Sequence, residues 1–193
     1  MQICVYGASS SQIDAVYLQE AQKLGALMAK RGHTLIFGGG ANGVMGAAAR
    51  GVFAEGGKIV GVAPSFFNVD GVLFPNCTEF IYTETMRERK QIMDDRADAF
   101  VLAPGGFGSF EEFFEILTLK QLGRHNRPIA VLNTNGYYGA LQAMVDVCIE
   151  QKFAKPACLE LYRLCDTPQA VLEYLQTDHT AQKDVRDLKA ISL

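Results

Sequence analysis

The 193-residue chain lacks the short signatures of metal, redox and nucleoside-triphosphate sites. Cys4, Cys77, Cys148, Cys158 and Cys165 are an odd set with no CxxC pair, which excludes a zinc knuckle and a thioredoxin-type centre and leaves free thiols as the expectation. His33, His125 and His179 are scattered with no HExxH, and the neighbouring Asp94 and Asp95 diverge on a helix, so neither a metal nor a carboxylate dyad is expected. No G-x-x-x-x-G-K-[ST] run is present, which excludes a P-loop. No apolar stretch approaches the ~20 residues that span a bilayer. Met1–Gly7 has neither the charged start nor the long apolar middle of a signal peptide, so a cytoplasmic location and no membrane partner are expected. A net charge of −3 gives no basic face, so no nucleic-acid partner is expected and any anion must bind in a local pocket.

What the chain does have is a steady alternation of short apolar runs and helical periodicities. The spacing predicts strands over 2–6, 34–37, 58–63, 79–82, 99–103, 128–132 and 161–164. Helices are predicted over 15–30, 44–55, 85–97, 110–122, 138–150 and 171–176, with an irregular connection from Pro64 to Asn76. Repeated β–α units of this kind predict an α/β fold: a doubly wound, mainly parallel sheet in a Rossmann-like three-layer sandwich. Residues 1–178 are expected to form a single domain, followed by a polar, frayed tail over 179–193.

Three strands run into loops rich in glycine or serine, at 7–10, 38–43 and 104–109. In parallel sheets ligands bind beyond the carboxyl ends of the strands, so convergence of these loops points to a nucleotide-type crevice. Gly7, Ser9, Gly39, Gly40 and Gly43 are the candidate contacts from the first two loops. The run Gly38–Gly43 fits G-x-G-x-x-G between a strand and a helix. The following strand ends Val60-Gly61-Val62-Ala63-Pro64 with no acid for a ribose, which disfavours a dinucleotide. The same glycines equally suit tight turns with no ligand.

The third loop is the most informative. Pro104-Gly105-Gly106-Phe107-Gly108-Ser109-Phe110-Glu111-Glu112 joins a buried strand to a helix. Glycines there let N–H groups approach an anion, and the helix N-terminus adds partial positive charge. The acids beside it would repel a phosphate, so a sugar is expected against Glu111 or Glu112. Ser109-x-x-Glu112 also reads as a capping box, with Ser109 as N-cap. Phe113 and Phe114 are expected to pack in the core. On the preceding helix, Met86, Met93 and Ala97 mark an inward stripe on which Arg89 and Lys90 also fall. Cations so placed either find an anionic partner, such as a bound phosphate or Glu112, or snorkel to the helix edge.

These residues together resemble a known family. Pro104–Glu112 resembles the PGGxGTxxE motif of the LOG ("Lonely Guy") proteins, cytokinin riboside 5′-monophosphate phosphoribohydrolases, and Met86-Arg87-Glu88-Arg89-Lys90 resembles their MHxRK motif. Gly38–Gly46, Gly7–Ser10 and Leu132–Tyr138 are similar to further segments, and the likeness spans roughly residues 1–175. Ser109 stands for the usual Thr and Arg87 for the usual His, while Ser65–Thr83 matches less clearly and is expected to shape a base pocket. The resemblance implies hydrolysis of the N-glycosidic bond of a nucleoside 5′-monophosphate, AMP or an N6-modified relative, without a cofactor. It implies that Arg89 and Glu112 are the catalytic pair. It also places Lys90, Gly105, Gly106, Gly108, Ser109 and Thr118 at nucleotide-binding positions, and it implies a homodimer with the site near the interface. The rival reading is a non-catalytic carrier or sensor, resembling molybdenum-cofactor carriers, which would need the glycine loops but neither Glu112 nor Arg89. The lysine decarboxylase label given to many relatives finds no lysine placed for a pyridoxal phosphate Schiff base.

Overall fold

The structure, a computed structural model, describes residues 1–177 and Leu188; apart from Leu188, the tail expected over 179–193 lies outside the described residues. Seven strands, β1 (Gln2–Tyr6), β2 (Thr34–Phe37), β3 (Lys58–Pro64), β4 (Glu79–Thr83), β5 (Ala99–Leu102), β6 (Ile129–Leu132) and β7 (Arg163–Cys165), form one all-parallel sheet. Their order is β4-β3-β2-β1-β5-β6-β7. The helices are α1 (Ala15–Lys30), α2 (Gly43–Ala54), α3 (Met86–Arg96), α4 (Phe107–Gln121), α5 (Gly139–Glu150) and α6 (Pro168–Leu175).

Strand pleating explains the three layers. Ile3, Val5, Leu35, Phe37, Ala99 and Val101 face one side, where Leu24 and Met28 of α1, Val52 of α2 and Leu172 of α6 cover them. Cys4, Tyr6, Ile36, Val60, Phe100 and Leu102 face the other, under Met93 of α3 and Phe113 and Ile116 of α4. Burial on both faces is why the strands read as unbroken apolar runs. From β1 the chain builds outward to β4, then returns to place β5 on the other side of β1. The loops after β1 and β5 therefore part toward opposite faces, and the crevice between them is the switch point.

Helix α3, Met86-Arg87-Glu88-Arg89-Lys90-Gln91-Ile92-Met93-Asp94-Asp95-Arg96, buries only Arg89 and Met93. Charge holds it where apolar area cannot. Arg96 makes a bidentate pair with Glu79 at 2.7 and 2.8 Å, and Asp94 accepts from Arg127 at 2.6 Å. Its start is capped much as in a capping box: Glu88 N–H donates to Oγ1 of the N-cap Thr85 at 3.1 Å, and the Glu88 carboxylate accepts, at 2.9 Å, from the N–H of Glu84, one residue before the cap.

Candidate active site

The loops after β1, β2 and β5 meet at the carboxyl edge of the sheet. Ala103 N–H donates to Tyr6 O at 2.8 Å and Ala8 N–H to Pro104 O at 3.0 Å, locking the first and third loops side by side. The second loop closes against the first through Gly43. Its φ is +61°, and a methyl there would lie 2.4 Å from the Ala8 carbonyl oxygen and 2.7 Å from that of Ser10.

At this edge α3 and α4 are joined by a buried ion pair. Arg89 Nη1 donates to Glu112 Oε1 at 2.8 Å, and its Nε donates to the β3 carbonyl of Val62 at 3.1 Å. Arg89 is 7% and Glu112 8% exposed. The guanidinium fits because Gly38 has no side chain: a Cβ there would lie 1.9 Å from Arg89 Nη2. Burial pushes the Glu112 carboxyl above its ordinary range, and the Arg89 charge and hydrogen bond only partly offset this. A buried carboxyl with a raised pKa and a fixed guanidinium partner is a candidate for proton transfer.

Lys90 turns from this pair to the outside of α4, where it bonds Glu111 and, at 2.7 Å, Glu115. Burial alone would lower its pKa, but these two carboxylates outweigh that and hold it above the ordinary lysine range. Its partner here is thus carboxylate on both counts, and Glu112 is left to Arg89.

The third loop is the open one. Gly105 is buried beneath Ser109, while Gly106 and Gly108 are exposed, with nothing within 4 Å of where a Cβ would stand. Helix α4 begins at Phe107, three residues before the predicted start, with Gly106 as its N-cap. The expected capping box at Ser109–Glu112 is therefore corrected. Ser109 lies inside the helix, only 5% exposed, and Glu112 reaches across to Arg89 instead of back to the Ser109 N–H. The motif belongs to Thr85–Glu88.

The second loop is tied back onto the chain at its middle. Ala41 N–H donates to Val72 O at 2.9 Å, and Gly39 O accepts from Phe74 N–H at 2.8 Å. Gly40 pairs with Leu73 in an antiparallel bridge, and Met45 N–H donates to Ala8 O at 3.2 Å. Gly39 and Gly43 are buried. The bonds to Val72 and Phe74 engage the Ala41 N–H and the Gly39 carbonyl and fix the loop against the connection that follows β3.

Other predicted residues divide. Gly7 is buried under Val44 and Ser9 is exposed at the crevice rim. Met86 is 42% exposed rather than inward, because as the first residue of α3 it stands beyond the sheet edge. Phe113 is fully buried but Phe114 is 42% exposed. Thr118 is exposed and about 120° round α4 from Glu112, on the stripe of Phe107, Glu111 and Phe114, so this chain's own Arg89–Glu112 pair does not face it. Sequence reasoning missed Gly38, Tyr6 and the Val62 carbonyl. Gly38 was legible as part of a triple glycine, but the phosphate template drew attention to its neighbours.

The structure is that of a Rossmann-like, doubly wound α/β protein with a switch-point crevice, an open helix N-terminus and a buried acid–guanidinium pair. A family profile described as "Possible lysine decarboxylase" matches residues 45–175. The chain is 37% identical over 170 residues to the cytokinin riboside 5′-monophosphate phosphoribohydrolase of Mycobacterium tuberculosis, covering 88% of this chain and 90% of that protein. It is 33% identical over 174 residues to the probable cytokinin riboside 5′-monophosphate phosphoribohydrolase LOGL6 of Oryza sativa subsp. japonica, covering 90% and 70%. The chain belongs to the LOG family. A solved molybdenum cofactor binding protein from Rippkaea orientalis shares its fold, with a TM-score of 0.68 at 20% identity over 89% of this chain and 93% of that one.

Proposed function

We propose that the chain hydrolyses the N-glycosidic bond of a purine nucleoside 5′-monophosphate, AMP or an N6-modified adenosine monophosphate, releasing free base and ribose 5-phosphate. The 5′-phosphate sits on the first-turn amides of α4 beside Gly106 and Gly108, favoured by the helix dipole. The ribose then lies toward Glu112, the second turn of the same helix. As the bond to the base lengthens, the sugar takes on oxocarbenium character, which the carboxylate stabilises electrostatically. Glu112 takes a proton from the attacking water, and Arg89 fixes the carboxylate through a guanidinium itself held by Val62 O. Lys90 steadies Glu111 at the rim.

The observation that carries this reading is the buried Arg89–Glu112 pair behind an open glycine N-terminus. A carrier gains nothing from burying an acid at such cost. Incubating the protein with AMP and with isopentenyl-adenosine monophosphate, followed by chromatography, tests it. Free base and ribose 5-phosphate are expected from wild type, and Glu112→Gln should lose at least ~10²-fold in kcat. Tight nucleotide binding without base release would establish the carrier reading instead.

The same proposal includes a homodimer. Helix α5 has no buried residue although it carries Leu141, Met144, Val145, Val147 and Ile149, and Met144 is 62% exposed. A second copy covering α5 and the outer stripe of α4 would bring Thr118 toward a neighbouring site. Light scattering should give twice the chain mass, and Met144→Glu should reduce it to one.

A further inference from the structure

Between α3 and α4, on the helix-covered face and not among the glycine loops, lies a cavity of about 60 Å³. Its lining includes Tyr6 and Glu112 at the buried end and Lys90, Gln91, Asp94 and Glu115 toward solvent. The volume decides what it can hold. One water needs ~10–15 Å³ on this measure, so a short file of waters fits, whereas ligand pockets run to roughly 300–1,000 Å³. The lining joins these polar groups and Arg87 to the apolar Ile116 and Leu119, and the polar ones offer a water the partners it needs. Glu112 and Tyr6, 8% and 4% exposed, are both largely buried, so a water entering this cavity would reach the Glu112 carboxyl by a way other than the crevice.

We propose that this cavity is a solvent port for Glu112, through which the carboxyl returns its proton to bulk water while product still occupies the crevice. The inference rests on the hydrolase reading above. In that reaction the C1′–N bond breaks with its electron pair going to the base, and a water oxygen bonds to C1′. The water's proton passes to Glu112, and the base nitrogen takes one from solvent. Each turnover consumes one water and leaves Glu112 with a proton to shed. The phosphosugar blocks the crevice side at that moment, and the α3–α4 cavity is the route that remains. Lys90, bound to Glu111 and Glu115 across the two helices, roofs it. Tyr6 stays a neutral phenol, its pKa pushed well up by burial, and supplies a hydroxyl at the floor.

The port is tested by plugging it from the outside. Gln91 is exposed on α3 and bonds only Asp95 among the described residues, at 2.8 Å, so Gln91→Phe fills the mouth without touching the crevice. The expected result is a roughly five- to tenfold fall in kcat with a larger solvent deuterium isotope effect, an unchanged KM, and partial rescue by a small buffer base. Leu119→Phe, further along the same lining, should reproduce it if Gln91→Phe folds poorly; Gln91→Ala should retain wild-type kcat. Glu112→Gln is measured alongside. An inactive Glu112→Gln with unaltered kcat and isotope effect in both plugged variants overturns the port and leaves the hydrolase reading standing. A fully active Glu112→Gln overturns both.

Discussion

Two glycine loops stand at the ends of β2 and β5, on either side of β1, and in sequence they are near twins. Gly38–Gly43 and Pro104–Ser109 each follow an apolar strand and open a helix. In three dimensions they do different work. The first is tied into the protein: Ala41 N–H and Gly39 O bond Val72 and Phe74, Gly43 lies against the Ala8 carbonyl, and Gly38 makes room for the Arg89 guanidinium. The second offers exposed Gly106 and Gly108 at a helix start, with open space beside them. The lesson is that glycine in such a loop marks close approach, and the approaching group can be a ligand or another part of the same chain. Substitution separates the two cases, because one loop should fail through its neighbours in the fold and the other through its ligand.

The largest effect is expected at Gly38→Ala. Its methyl carbon would stand 1.9 Å from Arg89 Nη2, the free end of a flexible side chain, so the arginine moves and the backbone stays. A misplaced positioning group can cost ~10²-fold, and kcat should fall by about that much, with a lower melting temperature because a buried ion pair is disturbed. Wild-type turnover in this variant would break the link between the second loop and catalysis.

A matched pair sharpens the contrast. Gly106→Ala meets nothing in the protein, so its stability should be that of wild type, while KM rises about tenfold, or ~1.4 kcal/mol, where the methyl meets the phosphate. Gly43→Ala should do the reverse. Its φ of +61° and the carbonyl 2.4 Å away should cost ~1–3 kcal/mol of stability, lowering the melting temperature by about 2–4 °C per kcal/mol, with KM held in the folded fraction. Thermal denaturation and steady-state kinetics on both proteins give the test, and a KM defect confined to Gly43→Ala would reverse the assignment of the loops.

How much of this was legible follows from range. The all-parallel sheet came through because each β–α unit announces itself locally, by apolar runs and helical spacing. Arg89 and Glu112 were legible as odd charges, an inward cation and an acid beside an anion-type loop. The partner of each was not, since they are 23 residues apart and the guanidinium could as well have met a phosphate. Ser109–Glu112 misled because a capping box is a four-residue pattern, whereas the true start of α4 was set three residues earlier by the extended backbone of Gly106. Thr118 and the exposed α5 face lie outside what one chain's pattern can place: an amphipathic helix looks the same whether a sheet or a second subunit covers it.

The smallest effect is also the most direct reading of the buried pair. In the proposed reaction Glu112 acts as a base and must be ionised, so kcat is expected to fall as pH drops through its pKa. Burial raises that pKa above the ordinary value of 4.5, and the acid limb of kcat should be displaced upward accordingly. Because Arg89 pulls in the opposite direction, Arg89→Met should move the limb of its residual activity further up, and Arg89→Lys should restore it. The same shift carries a stability sign. A carboxyl whose folded-state pKa exceeds its unfolded value favours the fold below that unfolded value, and the advantage is lost as pH rises through the folded one. Glu112 therefore strains the native state in its working, ionised form. Raising the pH through the limb should therefore lower the melting temperature of wild type relative to that of Glu112→Gln, which lacks this titration. An acid limb at the ordinary carboxylate value, unmoved by Arg89→Met, would show that some group other than this buried acid carries the proton.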